Sequence, residues 1–540
     1  MLKIEAKGVS NGIAIAKIHV MDRDDEIRAE KTADKSHESK RVKIALAKAN
    51  EKLEALKSKI DGDESEIFSA HQMMLEDPEL INTIDSYIEQ DYSAEYSVFK
   101  AKEDLKEIFY SMEDEYFRAR ANDIEDVLMR VIRILEGKEG TELSGEYILL
   151  SDELYPSETL EMDFQNIKGI VTIRGSETSH TTILANNLKI PALISVQIGD
   201  IEACDNKLGI IDGRDGIFII DPTDEVIEEY KLKMKEIGKR SQELNKYKDE
   251  PAITKSGKRI GIYANIGSDI EAEAAFDNGA EGVGLFRSEF LFLGRKNAPD
   301  EEEQFRAYKN AVNYMNGKPV IIRTMDIGAD KQVDYLDLDD EDNPQMGLRA
   351  IRISLKKPEL FKIQLRALLR AAHFGPLKIM LPMIISVDEI NKTKALIEEC
   401  KCELKSSGVE YGKVELGIMI ETPAAAITAD ELGKHVDFFS IGTNDLVSYT
   451  LAVDRTNSDI AEYLDSHHEA VKRLIKMTAE AAHKNNIDVG ICGALGADIS
   501  LLDFFLEIGI DELSVPVNRV LDLKEAVINR WWKSIQQLSS

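Results

Sequence analysis

Residues 175–185 read Gly-Ser-Glu-Thr-Ser-His-Thr-Thr-Ile-Leu-Ala, with His180 among four hydroxyl residues, Thr178, Ser179, Thr181 and Thr182. Apolar Ile167, Ile170, Val171 and Ile173 precede it as in a strand. Gly175 and Ser176 make a turn, and Ile183, Leu184 and Leu188 then recur at helical spacing. His180 is therefore predicted at the mouth of a helix. Free backbone N–H groups and the positive end of the helix dipole favour an anion there. A neutral imidazole is also a nucleophile toward phosphorus. The same position suits a capping or packed histidine, and its neighbourhood does not choose between the two.

A second set of reactive side chains closes successive apolar runs. Asn265 ends the run 259–265, and Arg287 ends 282–287. Arg323 lies in 320–325, Glu421 ends 415–421, and Asn444 with Asp445 ends 438–445. Cys492 ends 488–492, and Arg455 follows shortly after the Asn-Asp pair. Arg287, Arg323, Arg349 and Arg455 are fixed cations whose planar forks match phosphate and carboxylate oxygens. Glu421 and Asp445 are hard oxygen ligands of the kind Mg²⁺ takes. One such arginine is ordinarily a solvated surface charge. Their recurrence at run ends, beside two carboxylates, implies a small, strongly anionic phosphate ester held with magnesium. The thiol of Cys492, with an ordinary pKa of about 8.5, stays protonated at neutral pH and can give a proton to carbon. An inert buried cysteine fits the same place.

The elements that must position these groups follow from periodicity. From about residue 253, apolar runs alternate with amphipathic helices: 259–265, 282–287, 320–325, 378–384, 415–421, 438–444, 488–492 and 513–515, with 347–353 as a possible shorter strand. About eight strand–helix units match a (β/α)8 barrel, whose active site lies at the C-terminal ends of the strands. An open doubly wound sheet is the alternative, but no Gly-rich dinucleotide loop is present. Residues 1–20 suggest short strands. From Glu26 to about Lys138 the chain is charged, nearly free of glycine and helical in period. Val42, Leu46, Ala49, Leu53, Leu56 and Ile60 share one face there, as do Ile124, Val127, Leu128, Val131, Ile132 and Leu135. This reads as an all-helical subdomain inserted into an α/β domain. Residues 223–250 form a highly charged linker helix.

Composition narrows the partners. The chain has 540 residues, enough for several domains, and 43% apolar residues, enough for each to bury a core. A net charge of −31 argues against nucleic acid or an anionic membrane as main partner and suits a basic protein. No signal peptide and no membrane-length apolar run is evident, so a cytoplasmic location is expected. Four cysteines, Cys204, Cys400, Cys402 and Cys492, suggest a reducing compartment. Cys400 and Cys402 lack a second pair for zinc and are expected on a helix surface.

Taken together, the sequence resembles the phosphoenolpyruvate-utilising enzymes, and most closely the Enzyme I family of the bacterial sugar phosphotransferase system. The similarity runs essentially end to end. It includes Lys-Gly-Val-Ser-Asn-Gly-Ile-Ala-Ile-Ala near the start, Ala70-His71 followed by Met-Met-Leu-Glu-Asp-Pro-Glu-Leu, and Thr-Ser-His180-Thr. Further on it includes Glu-Gly-Val-Gly-Leu-Phe-Arg287-Ser-Glu-Phe-Leu-Phe, Arg323-Thr-Met-Asp-Ile-Gly, Gly347-Leu-Arg349-Ala-Ile-Arg, Met-Ile-Glu421-Thr-Pro, Ile-Gly-Thr-Asn444-Asp445-Leu and Val-Asp-Arg455.

The resemblance implies a swivelling phosphohistidine α/β domain (1–24 and 145–222), a helical subdomain that binds the histidine phosphocarrier HPr (25–144), a linker helix (223–252), and a C-terminal TIM barrel that binds phosphoenolpyruvate and forms a homodimer (253–540). It implies that His180 is the phosphorylated residue, with Thr159 a partner of its ring. Arg287, Arg323, Asn444 and Arg455 would bind phosphoenolpyruvate, with Arg349 assisting at the phosphate and Asn265 and Asp445 alongside. Glu421 and Asp445 would hold Mg²⁺, and Cys492 would protonate the enolpyruvate. His71 is not expected to be phosphorylated. A dikinase would need a nucleotide-binding domain ahead of the phosphohistidine domain, for which the stretch before the helical insert is too short. A regulatory paralogue that binds carrier or phosphoenolpyruvate with little turnover is the other reading. Departures from the family pattern bear on it. Asn186 stands where an arginine is usual, Ser448 replaces a glutamine, Ser176 replaces the second glycine before the histidine, and Ala494 replaces a glutamate after Cys-Gly. These predict a slower or specialised enzyme.

Overall fold

The computed structural model describes residues 1–21, 27, 29–32, 34–57, 64–110, 115–137, 145–154, 162, 164, 166–175, 180–188, 190–293, 295, 297–328, 333–339, 341–455 and 457–532, with the backbone alone at some helical positions, His180 and Asn186 among them. The chain divides into two compact units, Met1–Ile237 and Gly238–Ser540.

The first unit holds a mixed sheet ordered β1-β8-β7-β3-β4-β5-β6-β2. Its strands are β1 (Leu2–Glu5), β2 (Lys7–Ser10), β3 (Ile13–Val20), β4 (Tyr147–Ser151), β5 (Ile167–Thr172), β6 (Ala192–Ile194), β7 (Leu208–Asp212) and β8 (Ile217–Ile220). β3 alternates buried Ala14, Ala16, Ile18 and Val20 with more exposed neighbours, the period of a half-buried strand. β3 and β4 pair in parallel, Lys17 with Tyr147 through Val20 with Leu150. The intervening 126 residues, 21–146, are thus an excursion between neighbouring strands. Among its described residues lie five helices: Lys35–Lys57, Glu64–Leu75, Pro78–Ile88, Ala94–Tyr110 and Glu115–Glu136. The apolar faces meet as expected: Val42, Ala49, Leu53, Val127, Leu128, Val131 and Ile132 share one core. Ile60 and the Leu56 side chain lie outside the described residues. Pro78 opens its helix behind an Asp77 cap, whose carboxylate accepts from the Glu79 N–H at 2.7 Å.

A helix at Asp224–Asn245 matches the charged stretch and crosses the boundary between units. Within the first unit, Lys233 Nζ lies 2.5 Å from both Asp212 and Asp215. Within the second, Arg240 donates to Asp522 at 3.0 Å and to Glu525 at 2.5 Å.

The second unit is a closed barrel of eight parallel strands. They are β9 (Gly261–Ile266), β10 (Val283–Arg287), β11 (Val320–Arg323), β12 (Leu377–Leu381), β13 (Glu415–Ile420), β14 (Phe438–Gly442), β15 (Asp488–Cys492) and β16 (Glu512–Pro516). β11 to β14 end one to three residues before the expected limit, where the chain has already entered the following loop or helix. Ser268, Asp300, Ser386 and Thr422 cap the helices that follow, each accepting from a backbone N–H three residues on.

Two expectations are corrected. Residues 347–353 form no strand: Gly347 closes a one-turn segment and a helix begins at Ile351, so Arg349 sits on a loop. Cys400 is not on a surface. It lies in the buried stripe Ile390, Thr393, Ile397, Cys400 and Leu404 of the helix Val387–Ser406, while Cys402 is exposed.

Candidate active site

The barrel interior explains how the reactive groups converge. Leu285, Ile321, Met380, Met419, Phe438 and Cys492, from six successive strands, pack together as one inward-facing layer. Side chains alternate along a strand, so the residue two positions on faces the same way. That step leads from Leu285 to Arg287, from Ile321 to Arg323 and from Met419 to Glu421, all toward the C-terminal mouth. Apolar alternation thus aims two guanidinium groups and a carboxylate into one opening.

Arg323 is buried and its guanidinium lies 2.5 Å from Glu289 and 2.9 Å from Asp326. Asp326 also accepts from Arg349 Nη2 at 2.9 Å. Arg349 Nη1 lies 3.2 Å from the Tyr449 hydroxyl and 4.0 Å from Asp445. Burial works against both arginine charges, and the facing carboxylates outweigh it, so both pKa values are raised. Arg287, on β10 beside Arg323 in register, has no hydrogen-bond or ion-pair partner among the described residues. One mouth thus combines two preset cations with one that is unneutralised.

Glu421 is buried, and its Oε1 accepts from the Met383 N–H at 2.6 Å. Its Oε2 is buried without a partner. Burial raises its pKa, with Asp445 and Asp326 adding to the effect. A buried carboxylate oxygen with an open lone pair and a second carboxylate nearby fits a hard divalent cation. Among the described residues no group of three or more His, Cys, Asp and Glu side chains gathers. A cation that takes one or two carboxylates and completes its shell with water and substrate oxygens needs no such group.

Cys492 is 1% exposed, and burial pushes its thiol up to about 11, so it carries its proton at neutral pH. Ser440 Oγ donates to its sulfur at 3.3 Å. Thr443 Oγ1 donates to the Cys492 carbonyl at 3.0 Å, and the Ala494 N–H donates to Asn444 Oδ1 at 3.0 Å. The segment after β14 thereby staples the loop carrying the thiol.

A family model for the PEP-binding domain of PEP-utilising enzymes matches residues 241–531, which hold all of this mouth. Models for the N-terminal and mobile domains of the same enzymes match 5–120 and 143–216. The chain belongs to the PEP-utilising enzymes. Within them it is 41% identical over 529 residues to a phosphoenolpyruvate-protein phosphotransferase of Bacillus sp. (strain S), covering 96% of this chain and 91% of that one. It is 39% identical over 537 residues to the protein of that name from Bacillus subtilis (strain 168), covering 98% and 94%. The counterpart from Mycoplasma capricolum is 38% identical, covering 96% and 92%. It is thus an enzyme of the phosphoenolpyruvate-protein phosphotransferase family.

Among the residues expected of a PEP-utilising enzyme, Arg287, Arg323, Arg349, Glu421, Asn444, Asp445 and Cys492 come from the barrel mouth and the loops above it. Asn265 ends β9 with both amide atoms engaged: Nδ2 donates to the Ser514 carbonyl at 3.1 Å, and Oδ1 accepts from Ser514 Oγ at 2.6 Å. Arg455 lies exposed on the turn after the helix Thr443–Leu451 and is not drawn into the cluster. His180 opens the helix His180–Leu188, as its spacing predicts. The His180 side chain, Thr159 and the Asn186 side chain lie outside the described residues. Sequence reasoning missed Glu289, Asp326, Tyr449, Ser440 and Thr443. Asp326 and Glu289 had a signal in retrospect, since each follows an arginine by two or three residues in a mouth loop.

Proposed function

We propose that the chain transfers the phosphoryl group of phosphoenolpyruvate to His180, releases pyruvate, and passes the phosphoryl group to the histidine of an HPr-type carrier, the first step of sugar uptake by a phosphotransferase system. The observation that supports it most is the barrel mouth itself: Arg323 and Arg349 held charged around Asp326, an unpaired Arg287, and a protonated thiol at Cys492. Phosphate and carboxylate forks suit the arginines, and a thiol beside them suits an enolate. In this reading 1–24 with 145–222 carries the phosphohistidine, 25–144 docks the carrier, 223–252 links, and 253–540 binds phosphoenolpyruvate and dimerises in the cytoplasm.

Arg287, Arg323 and Arg349 bind and orient the phosphate with Asn444 beside them, and Arg455, exposed on its turn, would have to come in to join the grip. Their charges stabilise the phosphoryl oxygens as the bridging P–O bond lengthens. Glu421 and Asp445 would hold Mg²⁺, which when bound neutralises phosphate charge. The imidazole of His180 forms the new N–P bond while the P–O bond to the enolate breaks. Cys492 gives its proton to C3 of the enolate, the C2–O bond becomes a carbonyl, and ketone formation makes the transfer hard to reverse.

The test supplies HPr with the enzyme, Mg²⁺ and labelled phosphoenolpyruvate, and scores pyruvate release and label on the carrier. One pyruvate per labelled carrier is expected. Pyruvate release without carrier labelling would sink the acceptor assignment, and neither event would favour a regulatory paralogue. A single turnover as fast as in the Bacillus subtilis relative would remove the expectation, drawn from Asn186, Ser448 and Ala494, of a slower enzyme.

A further inference from the structure

We propose that Ser440 is a positioning residue for the proton-donating thiol: its hydroxyl holds the Cys492 sulfur in place for delivery to C3 and remains as donor to the thiolate that delivery leaves behind. The inference rests on Cys492 being the donor to enolpyruvate.

Ser440 and Cys492 stand on neighbouring strands, where Ser440 pairs with Gly490 and Gly442 with Cys492. Ser440 follows Phe438 by two residues, and Phe438 and Cys492 share the inward layer. Among the described residues, Ser440 is the one side chain that hydrogen-bonds the thiol, with Oγ to Sγ at 3.3 Å. The other contact of the sulfur is a long one to the Ile441 carbonyl at 3.5 Å. Ser440 is 3% exposed and Cys492 is 1% exposed, so bulk water does not solvate the sulfur. The same strand end fixes the Cys492 backbone through Thr443. β14 and the helix that follows it therefore hold both the side chain and the main chain of the donor.

The chemistry needs such a group. As C3 takes the proton, the enolate electron pair forms the C3–H bond, the S–H bond breaks, and negative charge passes to a buried sulfur. Met419, Phe438 and the other apolar members of the layer give that charge nothing, and Arg323 favours it through space without a hydrogen bond to the sulfur. A hydroxyl already pointing at the sulfur strengthens its bond as the charge arrives, because hydrogen bonds to ionised acceptors are the stronger kind. The thiolate recovers its proton from water after pyruvate leaves. The pKa shift agrees in direction: burial raises Cys492, and the Ser440 bond is the leading opposing effect.

The test compares wild type with Ser440→Ala, Ser440→Thr and Cys492→Ala, with phosphoenolpyruvate and Mg²⁺ in H₂O and D₂O. Ser440→Ala is expected to slow pyruvate release on the order of ten- to a hundredfold. KM for phosphoenolpyruvate should hold, the solvent isotope effect should grow as proton delivery becomes limiting, and Ser440→Thr should restore most of the rate. A wild-type rate and isotope effect in Ser440→Ala, or a loss confined to KM, overturns the inference. So does a Thr variant as slow as the Ala variant, which would mark a packing role. If Cys492→Ala releases pyruvate at the wild-type rate, the donor assignment itself fails. If Cys492→Ala is slow and Ser440→Ala is not, Ser440 alone is excluded.

Discussion

Asp326 accepts from Arg323 and Arg349, both at 2.9 Å, so one carboxylate sets the spacing of two cations. Removing its charge leaves two buried guanidinium groups facing each other. Asp326→Asn is expected to cost on the order of 3 kcal/mol in a urea unfolding curve and to raise KM for phosphoenolpyruvate. Unchanged stability and KM would show that the arginines are placed by something else. Asp326 carried a sequence signal only in its spacing from Arg323, because β11 ends at Arg323 and no periodicity governs the loop beyond. Arg323 itself was legible, since it breaks an apolar run at a strand end. Glu512, half-buried on β16, gives a pH prediction. Burial pushes its folded pKa up to about 8, above the unfolded value of about 4.3. A raised carboxyl contributes stability at low pH that is lost as pH rises from about 4.3 to about 8. Glu512→Gln should therefore match wild type in relative stability below that window and gain on it through the window, by up to about 4–5 kcal/mol at pH 8. Thermal unfolding across pH measures this, and a gap that stays flat contradicts it.

At the scale of elements, the junction between β14 and the helix at Thr443 carries the site. An added Cβ at Gly442 would lie 2.9 Å from Met419 Cγ and 3.0 Å from Glu421 Cβ. The strand can pass this close to β13 because residue 442 has no side chain. Gly442→Ala is expected to displace Glu421, lowering Mg²⁺ affinity about tenfold in a titration while costing about 1–3 kcal/mol. Loss of stability with Mg²⁺ affinity intact would place the strain on Met419 instead. The strands of this barrel were readable because each is an apolar run closed by a polar residue. Residues 347–353 misled for the same reason in reverse: Leu348, Ala350, Ile351 and Ile353 look like a short strand, yet Ile351 and Ile353 face the core from a helix. Cys400 misled because helical burial depends on which stripe meets the barrel, and flanking charges hide that stripe. Ser440 and Thr443 gave no signal, since a hydroxyl inside an apolar strand reads as packing until its neighbour across the sheet is known.

At the scale of the molecule, the proposed acceptor and the arginine-lined mouth belong to different units of the chain. His180 lies in Met1–Ile237 and the arginine cluster in Gly238–Ser540. Sequence spacing offered two candidate sites, the helix mouth at 180 and the strand ends after 253. No motif encodes how the proposed transfer would join them. The net charge of −31 adds a prediction about encounter. A basic carrier would be steered by that field, so its association rate should fall as ionic strength rises, measured by stopped flow. A rate indifferent to salt would point to an apolar docking surface. Phosphoryl transfer to one residue is the centre of the proposed function, and labelling tests it most directly. With labelled phosphoenolpyruvate and Mg²⁺, the wild-type chain should take up acid-labile, base-stable phosphate, one per pyruvate released, and His180→Ala should take up none. Label that persists in His180→Ala, or a folded wild-type chain that acquires none, would contradict it.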